Sequence, residues 1–154
     1  ELVLRFFALK NRRARFKHEG ADFLTDYMEE VADPSIAEHF EYDNEEEVFR
    51  KTFKALRMAL GEMVFGYANK TRDKLTAAFG AYHFEAITIG LQAVLGRLNL
   101  EDKNIVDLLR ETLVAIKLDK EFADMTTGGG KNSPGPLNAR IAFVQGRLEH
   151  AFPG

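Results

Sequence analysis

The stretch from Thr126 to Pro136 holds the residues best suited to chemistry. It reads Thr-Thr-Gly-Gly-Gly-Lys-Asn-Ser-Pro-Gly-Pro, which is too rich in Gly and Pro for a helix or strand. Consecutive glycines let backbone N–H groups turn towards an anion, and the start of the next helix adds partial positive charge. This part of the chain therefore supplies the candidates for phosphate or DNA binding, which are Lys131, Asn138, Arg140 and Arg147.

A flexible link between two helices is the alternative for the same loop. Gly128 to Gly130 permit positive φ, and Pro134 and Pro136 can stop one helix and start another. A Walker phosphate loop is not predicted, because Asn132 stands where that motif needs Ser or Thr, and a helix-like segment precedes it. The functional role that remains is an auxiliary anion contact at a helix N-terminus.

No catalytic residue and no metal site is predicted. The sequence has no Cys, which excludes disulfides, thiol nucleophiles and thiolate metal ligands. His83 and Glu85 are two residues apart, so they point in different directions on a helix, and no second His lies at i+4. No carboxylate pair stands out as a general acid or base.

Charge is distributed unevenly, although the formal net charge is only −3. Residues 18–48 contain twelve Asp or Glu and no Lys or Arg. The beginning of the chain is basic and carries Arg5, Lys10, Arg12, Arg13, Arg15 and Lys17. This basic start could contact phosphate, but we favour ion pairs with the acidic segment or exposure to solvent. The same two alternatives apply to Arg50, Lys54 and Arg57, which share one helix face.

The 154 residues suit a single helical domain spanning 1–154. Its first residue, Glu1, already lies inside an apolar run, so we expect a fragment of a longer chain whose N-terminal part is missing. No apolar run approaches the ~20 residues that a membrane helix needs, so no membrane partner is expected. A cytoplasmic location is the default expectation.

Apolar residues recur at helical spacing along the chain, and no segment alternates as a strand would. We predict an all-α fold, an irregular bundle of about six or seven helices. Glu1–Leu9 is apolar on nearly every side, which is typical of a central helix. A short turn is predicted over Ser35–Phe40, Asp102 or Asn104 should cap a later helix, and the last helix should begin near Leu137.

Several stretches together resemble a known family. They are Glu1-Leu-Val-Leu-Arg-Phe-Phe-Ala-Leu9, Asp22-Phe-Leu-Thr-Asp-Tyr-Met28, Val64-Phe-Gly66, Phe84-Glu-Ala86, Thr127-Gly-Gly-Gly-Lys-Asn132 and Leu137-Asn-Ala-Arg140. They resemble the helical C-terminal region of the ParB/sulfiredoxin-like family found in GmrSD-type modification-dependent restriction systems. The resemblance spans essentially the whole chain. One departure is His83-Phe-Glu85, where the family more often has Leu-Phe-Glu.

The resemblance implies a bacterial anti-phage protein that acts on DNA. In that family an N-terminal ParB-like part carries an Asp-Gly-Gln-Gln-Arg motif linked to nucleotide hydrolysis, and an HNH-type nuclease part or subunit cleaves DNA. Neither element occurs in this sequence. The resemblance thus assigns NTP and a divalent metal to the parent protein and no cofactor to this chain. It also implies an interface with the missing ParB-like part, for which Leu2, Phe6 and Phe7 are the candidates.

Two functions from different classes follow. The first is a non-catalytic helical scaffold of a restriction NTPase that contributes phosphate or DNA contacts. The alternative is a helical protein–protein interaction module with no nucleic-acid role, which would present the acidic surface at 19–47 to a partner.

Overall fold

The computed structural model describes residues 1–18, 20–35 and 40–154, and these contain seven α-helices. The helices are α1 (Leu2–Arg12), α2 (Gly20–Ala32), α3 (Tyr42–Leu60), α4 (Ala81–Gly90), α5 (Lys103–Leu118), α6 (Lys120–Thr126) and α7 (Pro134–Ala151). Short 3₁₀ turns occupy Arg13–Arg15, Gly61–Met63, Leu91–Ala93 and Leu95–Arg97. The predicted all-α bundle of about seven helices is confirmed. Residues 36–39 of the turn predicted over Ser35–Phe40 lie outside the described part.

The helix at the centre of the fold is α4, which packs along α7. Every residue from His83 to Gly90 is buried, so α4 is enclosed on all sides. At Gly90 an added Cβ would lie 2.6 Å from Cγ1 of Val144, which shows how closely the two backbones approach. The prediction of a central helix at Glu1–Leu9 is therefore only half right, because Leu2 and Val3 of α1 are exposed.

Two apolar clusters form the core. One lies among α3, α4, α5 and α7, and includes Leu56, Ile87, Leu91, Leu113 and Val144. The other joins α1 and α2 to α4 and α7, and includes Phe6, Phe23, Phe84 and Ile141. Among the described helices, none has the length and apolar character needed to cross a bilayer.

The connection between α3 and α4 folds back on itself. It opens at Gly61, where φ is +56°, and a single β-bridge pairs Ala68 with Leu75. A Cβ at Gly66 would lie 1.7 Å from the carbonyl oxygen of Thr76, so only Gly fits there. This close crossing holds the two ends of the 66–76 loop together, and Val64, Phe65 and Leu75 pack the segment against the core.

Two helix starts bear on the sequence predictions. Asp102, one of the two predicted caps, caps α5 by accepting a hydrogen bond from the Asn104 amide at 2.9 Å. The prediction for the last helix is wrong by three residues, because α7 begins at Pro134. Proline suits a first helical turn, since its φ is preset and its missing N–H would have no helical partner there.

Candidate functional site: a basic groove beside a buried ion cluster

The four predicted phosphate ligands do not converge on the loop. Lys131 donates through Nζ to the carbonyl oxygens of Asp124 and Thr127, at the C-terminal end of α6. An ammonium in that position donates to carbonyls that have no helical partner, and it is stabilised by the negative end of the helix dipole. Lys131 thus has structural partners at the end of α6 and at the start of the loop.

Arg147 lies on α7, two helical turns after Arg140. Its Nη2 is 3.2 Å from Oδ2 of Asp119, and its guanidinium lies 4.7 Å from the centre of the Phe143 ring. The side chain is 48% exposed, so its charge is still accessible to solvent. Arg147 is separate from the amide-rich part of the loop.

Arg140 lies in the interior. Its side chain is 1% exposed, and Nη2 donates to Oε2 of Glu85 at 2.6 Å. Its Nη1 donates to the Lys131 carbonyl at 2.8 Å, and the guanidinium lies 4.3 Å from the centre of the Tyr82 ring. Arg5 donates to the other carboxylate oxygen of Glu85 at 2.8 Å. The structure therefore places Arg140 in an ion cluster with Arg5 and Glu85, which we call the Glu85 cluster, and not at the surface.

The Glu85 cluster joins three of the stretches that carry the family resemblance. Arg5 belongs to Glu1–Leu9, Glu85 to Phe84–Ala86, and Arg140 to Leu137–Arg140. Sequence reasoning missed the cluster because its members are 80 and 55 residues apart from Glu85. The sequence did contain one signal for the cluster. Glu85 is a carboxylate within the mostly apolar α4, and a buried charge requires a partner.

A groove at the C-terminal end of α1 brings one predicted ligand together with several cations. We call it the basic groove. It has a volume of about 730 Å³ and is lined by Leu9, Lys10, Asn11, Arg12, Arg13, Ala14, Arg15, Ile89, Gln92, Ala93, Asn138 and Gln145. Asn138 and Gln145 are seven residues apart on α7, which places them on one face of that helix. The exposed Asn138 therefore faces the basic end of α1.

Most cations of the basic groove are paired with the acidic segment, as the favoured interpretation predicted. The ion pairs are Lys10 with Glu45 at 3.0 Å, and Arg12 and Arg15 with Glu30 at 2.9 and 2.8 Å. Arg13 has no ion pair with any residue in the described ranges. Two carboxylates thus face four cations, and the groove keeps positive charge.

Guanidinium and amide groups in one groove are donors suited to phosphate oxygens. Arg13 can offer two parallel N–H groups to a phosphate, and the Asn138 amide can add a neutral donor. Within the described ranges, no three His, Asp or Glu side chains are grouped so as to hold a metal ion. The chemistry that this groove supports is anion binding.

A second buried polar group contains His83. In the sequence, His83 was considered only as a metal ligand, and no metal site was predicted there. Lys117 is 1% exposed, and its Nζ donates to the Gly66 carbonyl at 2.6 Å and to Nδ1 of His83 at 3.0 Å. While Lys117 is protonated, its ammonium cannot accept a hydrogen bond, so Nδ1 accepts and the ring proton lies on Nε2. The pair secures the tightly folded 64–76 segment to α4 and α5.

Burial controls the protonation of this pair. Removal from water lowers the pKa of Lys117 to about 7. The pKa of His83 falls to about 3, because burial and then the neighbouring Lys117 ammonium disfavour an imidazolium. His83 is therefore neutral across the physiological range.

The predicted interface residues occupy three different environments. Phe6 is fully buried within the chain's own core, whereas Leu2 is 42% exposed. Phe7 is half-buried and stacks on Phe49, with ring centres 5.6 Å apart. Leu2 and Phe7 remain accessible to a partner.

Comparisons of the chain with protein-family models, curated proteins and solved structures found no match.

Proposed function

We propose that this chain is the helical scaffold region of a bacterial anti-phage, modification-dependent restriction NTPase, and that it contributes DNA phosphate contacts through the basic groove. The proposal rests on the resemblance. It is supported by the Glu85 cluster, in which three of the resembling stretches meet. In this proposal a ParB-like part binds NTP and divalent metal, an HNH-type nuclease part or subunit cleaves DNA, and this chain has no catalytic role alone.

The observation that supports the DNA contact is that Arg13 and Asn138 line the same groove. Arg13 keeps an uncompensated guanidinium among the described residues, and the helix that supplies Asn138 is held to α4 by Arg140. Phosphate contacts of this kind position a protein on a duplex without reading its sequence. Recognition of a modified base would then belong to another part of the parent protein.

A fluorescence anisotropy titration with labelled duplex DNA tests the contact. We expect Arg13→Glu to weaken binding about tenfold or more at low salt, because it replaces a phosphate donor by a repelling carboxylate. Arg72→Glu is the matched control, since Arg72 is exposed in the connection between α3 and α4 and does not line the groove. It changes net charge equally and should alter affinity about twofold or less.

Equal losses for the two variants would mean that DNA responds only to overall charge, and would contradict the proposal. Undiminished binding by Arg13→Glu would contradict it as well. Arg140→Glu is unsuitable for this experiment, because it would bury a carboxylate against Glu85.

A further inference from the structure

A second groove lies between α1, α2 and the start of α3, and we call it the apolar groove. Its volume is about 500 Å³. Apart from Glu46, its described lining is aliphatic or aromatic, with Leu4 and Phe7 from α1, Met28 and Val31 from α2, and Tyr42 and Phe49 from α3. The basic groove begins further along α1, at Leu9, so the two grooves share none of their lining residues.

Large apolar side chains at this groove are open to water. Met28 is 53% exposed and Tyr42 is 70% exposed. Val3, one turn before Phe7 on the same face of α1, is 55% exposed and extends the apolar surface. Clustered exposed apolar groups of this size mark binding surfaces more often than single ones do.

The surroundings of the apolar groove are acidic. Both α2 and the first turns of α3 fall within residues 18–48, which contain no Lys or Arg. Glu29 follows Met28 directly, Asp43 follows Tyr42, and both carboxylates are exposed without an ion pair among the described residues. Glu46 lines the groove and pairs with Arg50 at 2.7 Å, an exposed contact that a competing cation can replace.

We propose that the apolar groove binds an amphipathic helix of another protein, one with large aliphatic side chains on one face and Lys or Arg beside them. Such a helix would place residues at i, i+3, i+4 and i+7 against Phe7, Met28 and Phe49. Its basic flanks would meet Glu29, Asp43 and Glu46, and this charge complementarity selects a basic helix over an acidic one. This site is independent of the DNA contact in the basic groove.

Charge also argues against a second copy of this chain as the occupant. A two-fold symmetric contact would place the same patch on both subunits. The exposed carboxylates of Glu29 and Asp43 would then lie on both sides of the contact, with no Lys or Arg from residues 18–48 to pair with them, and like charges across an interface oppose association.

The test uses a designed peptide of about 18 residues, or five helical turns, with Leu at helical spacing and Lys elsewhere. Two comparison peptides are a scrambled one of identical composition and one with Glu in place of every Lys. Binding of each fluorescent peptide to the whole chain is measured by anisotropy. The first peptide should bind, and the other two should bind about tenfold more weakly or worse.

The variants Met28→Lys and Met58→Lys distinguish peptide binding in the apolar groove from general charge attraction. Met58 is 40% exposed and does not line the groove, so the two variants make the same change at exposed positions. Met28→Lys should weaken binding of the Leu/Lys peptide about tenfold, because it adds repulsion and removes an apolar contact. Met58→Lys should change it about twofold or less.

Each alternative has its own outcome. Equal affinities for the two variants, equal binding of the scrambled or Leu/Glu peptide, or no binding of any peptide would overturn the proposal. Sedimentation of the chain alone should show a monomer. A dimer that Met28→Lys dissociates and Met58→Lys does not would assign the groove to a second copy and overturn it as well.

Discussion

Glu85 is the residue on which three helices converge. It accepts charge-assisted hydrogen bonds from Arg5 of α1 and Arg140 of α7, while Arg140 Nε has no partner among the described residues. The cluster thus contains two cations and one buried carboxylate, and Arg5 also contacts the exposed carboxylate of Glu1 at 3.1 Å. Loss of the Glu85 carboxylate would leave two guanidinium groups together, one of them 1% exposed.

Glu85→Gln should therefore lower the free energy of unfolding by about 3–5 kcal/mol, the usual cost of breaking a buried ion pair. Urea denaturation followed by circular dichroism measures it. Glu46→Gln is the control, because Glu46 pairs with Arg50 at the surface, where such pairs contribute about 0–1 kcal/mol. Similar losses for both variants would show that the Glu85 cluster contributes no more than a surface pair.

Lys117 should make the fold more stable as pH rises. Its pKa is about 7 when folded and ordinarily 10.5, so between these values the unfolded chain holds a proton that the folded chain lacks. The free energy of unfolding then increases with pH, by up to about 1.4 kcal/mol per pH unit. Lys117→Met should abolish the rise between pH 7 and 10, as measured by urea denaturation at each pH.

Lys70→Met is the control for that measurement, because Lys70 is exposed and should leave the rise intact. A rise that persists unchanged in Lys117→Met would contradict the assignment.

His83 affects stability over a lower pH range than Lys117 does. The pKa of His83 is about 3 in the folded chain and ordinarily 6.5. Stability should fall as pH drops from 6.5 towards 3, and His83→Gln should reduce that fall.

For individual residues, the sequence allowed surface ion pairs to be predicted, but it did not allow the buried charged residues to be identified. The ion pairs of Lys10, Arg12 and Arg15 with the acidic segment follow from opposite charges in neighbouring stretches. Glu85 and Lys117 could not be assigned, because their partners come from distant parts of the chain. Lys117 lies four residues after Leu113, on the buried side of α5, and that spacing was the available clue.

Among the elements, the α4–α7 crossing depends on the absence of a side chain at Gly90. Gly90→Ala would place its Cβ 2.6 Å from Cγ1 and 2.8 Å from Cβ of Val144. We expect a loss of about 1–3 kcal/mol by overpacking. In the Gly90→Ala background, Val144→Ala should cost less than it does alone, because it removes the clashing methyl groups.

Gly146→Ala is the matched control on α7. Gly146 lies within the helix, and an added Cβ there meets no atom within 4 Å. It should gain about 0.5–1 kcal/mol, because Ala loses less backbone freedom than Gly in a helix. Thermal unfolding of Gly90→Ala, Val144→Ala, the double variant and Gly146→Ala checks these effects, and equal effects at Gly90 and Gly146 would contradict the close-packed crossing.

The presence of helices could be predicted from apolar spacing. Which helix lies at the centre of the fold could not be predicted in this way. The spacing in α5 is clear, and Asp102 was identified as one of two candidate caps. Glu1–Leu9 and α4 are both strongly apolar in sequence, and only tertiary packing decides that α4 is enclosed while Leu2 and Val3 stay exposed. Pro134 was assigned to the loop because proline is compatible with both a loop and a first helical turn.

For the whole molecule, a net charge of −3 conceals two surfaces of opposite character. The basic groove gathers cations at the end of α1, and the apolar groove lies within the acidic α2–α3 region. The anion contact that we propose therefore lies in the basic groove, whose lining includes both Arg13 and Asn138, and not at the Gly-rich loop. Sequence spacing could not reveal this, because Arg13 and Asn138 come from opposite ends of the chain.

The salt dependence of duplex DNA binding tests the central claim most directly. If Arg13 contacts a phosphate, the slope of log affinity against log salt should become shallower by about one in Arg13→Gln. The slope for Arg72→Gln should remain that of the unmodified chain, because Arg72 is exposed and does not line the groove. Identical slopes for the unmodified chain and Arg13→Gln would contradict a phosphate contact in the basic groove.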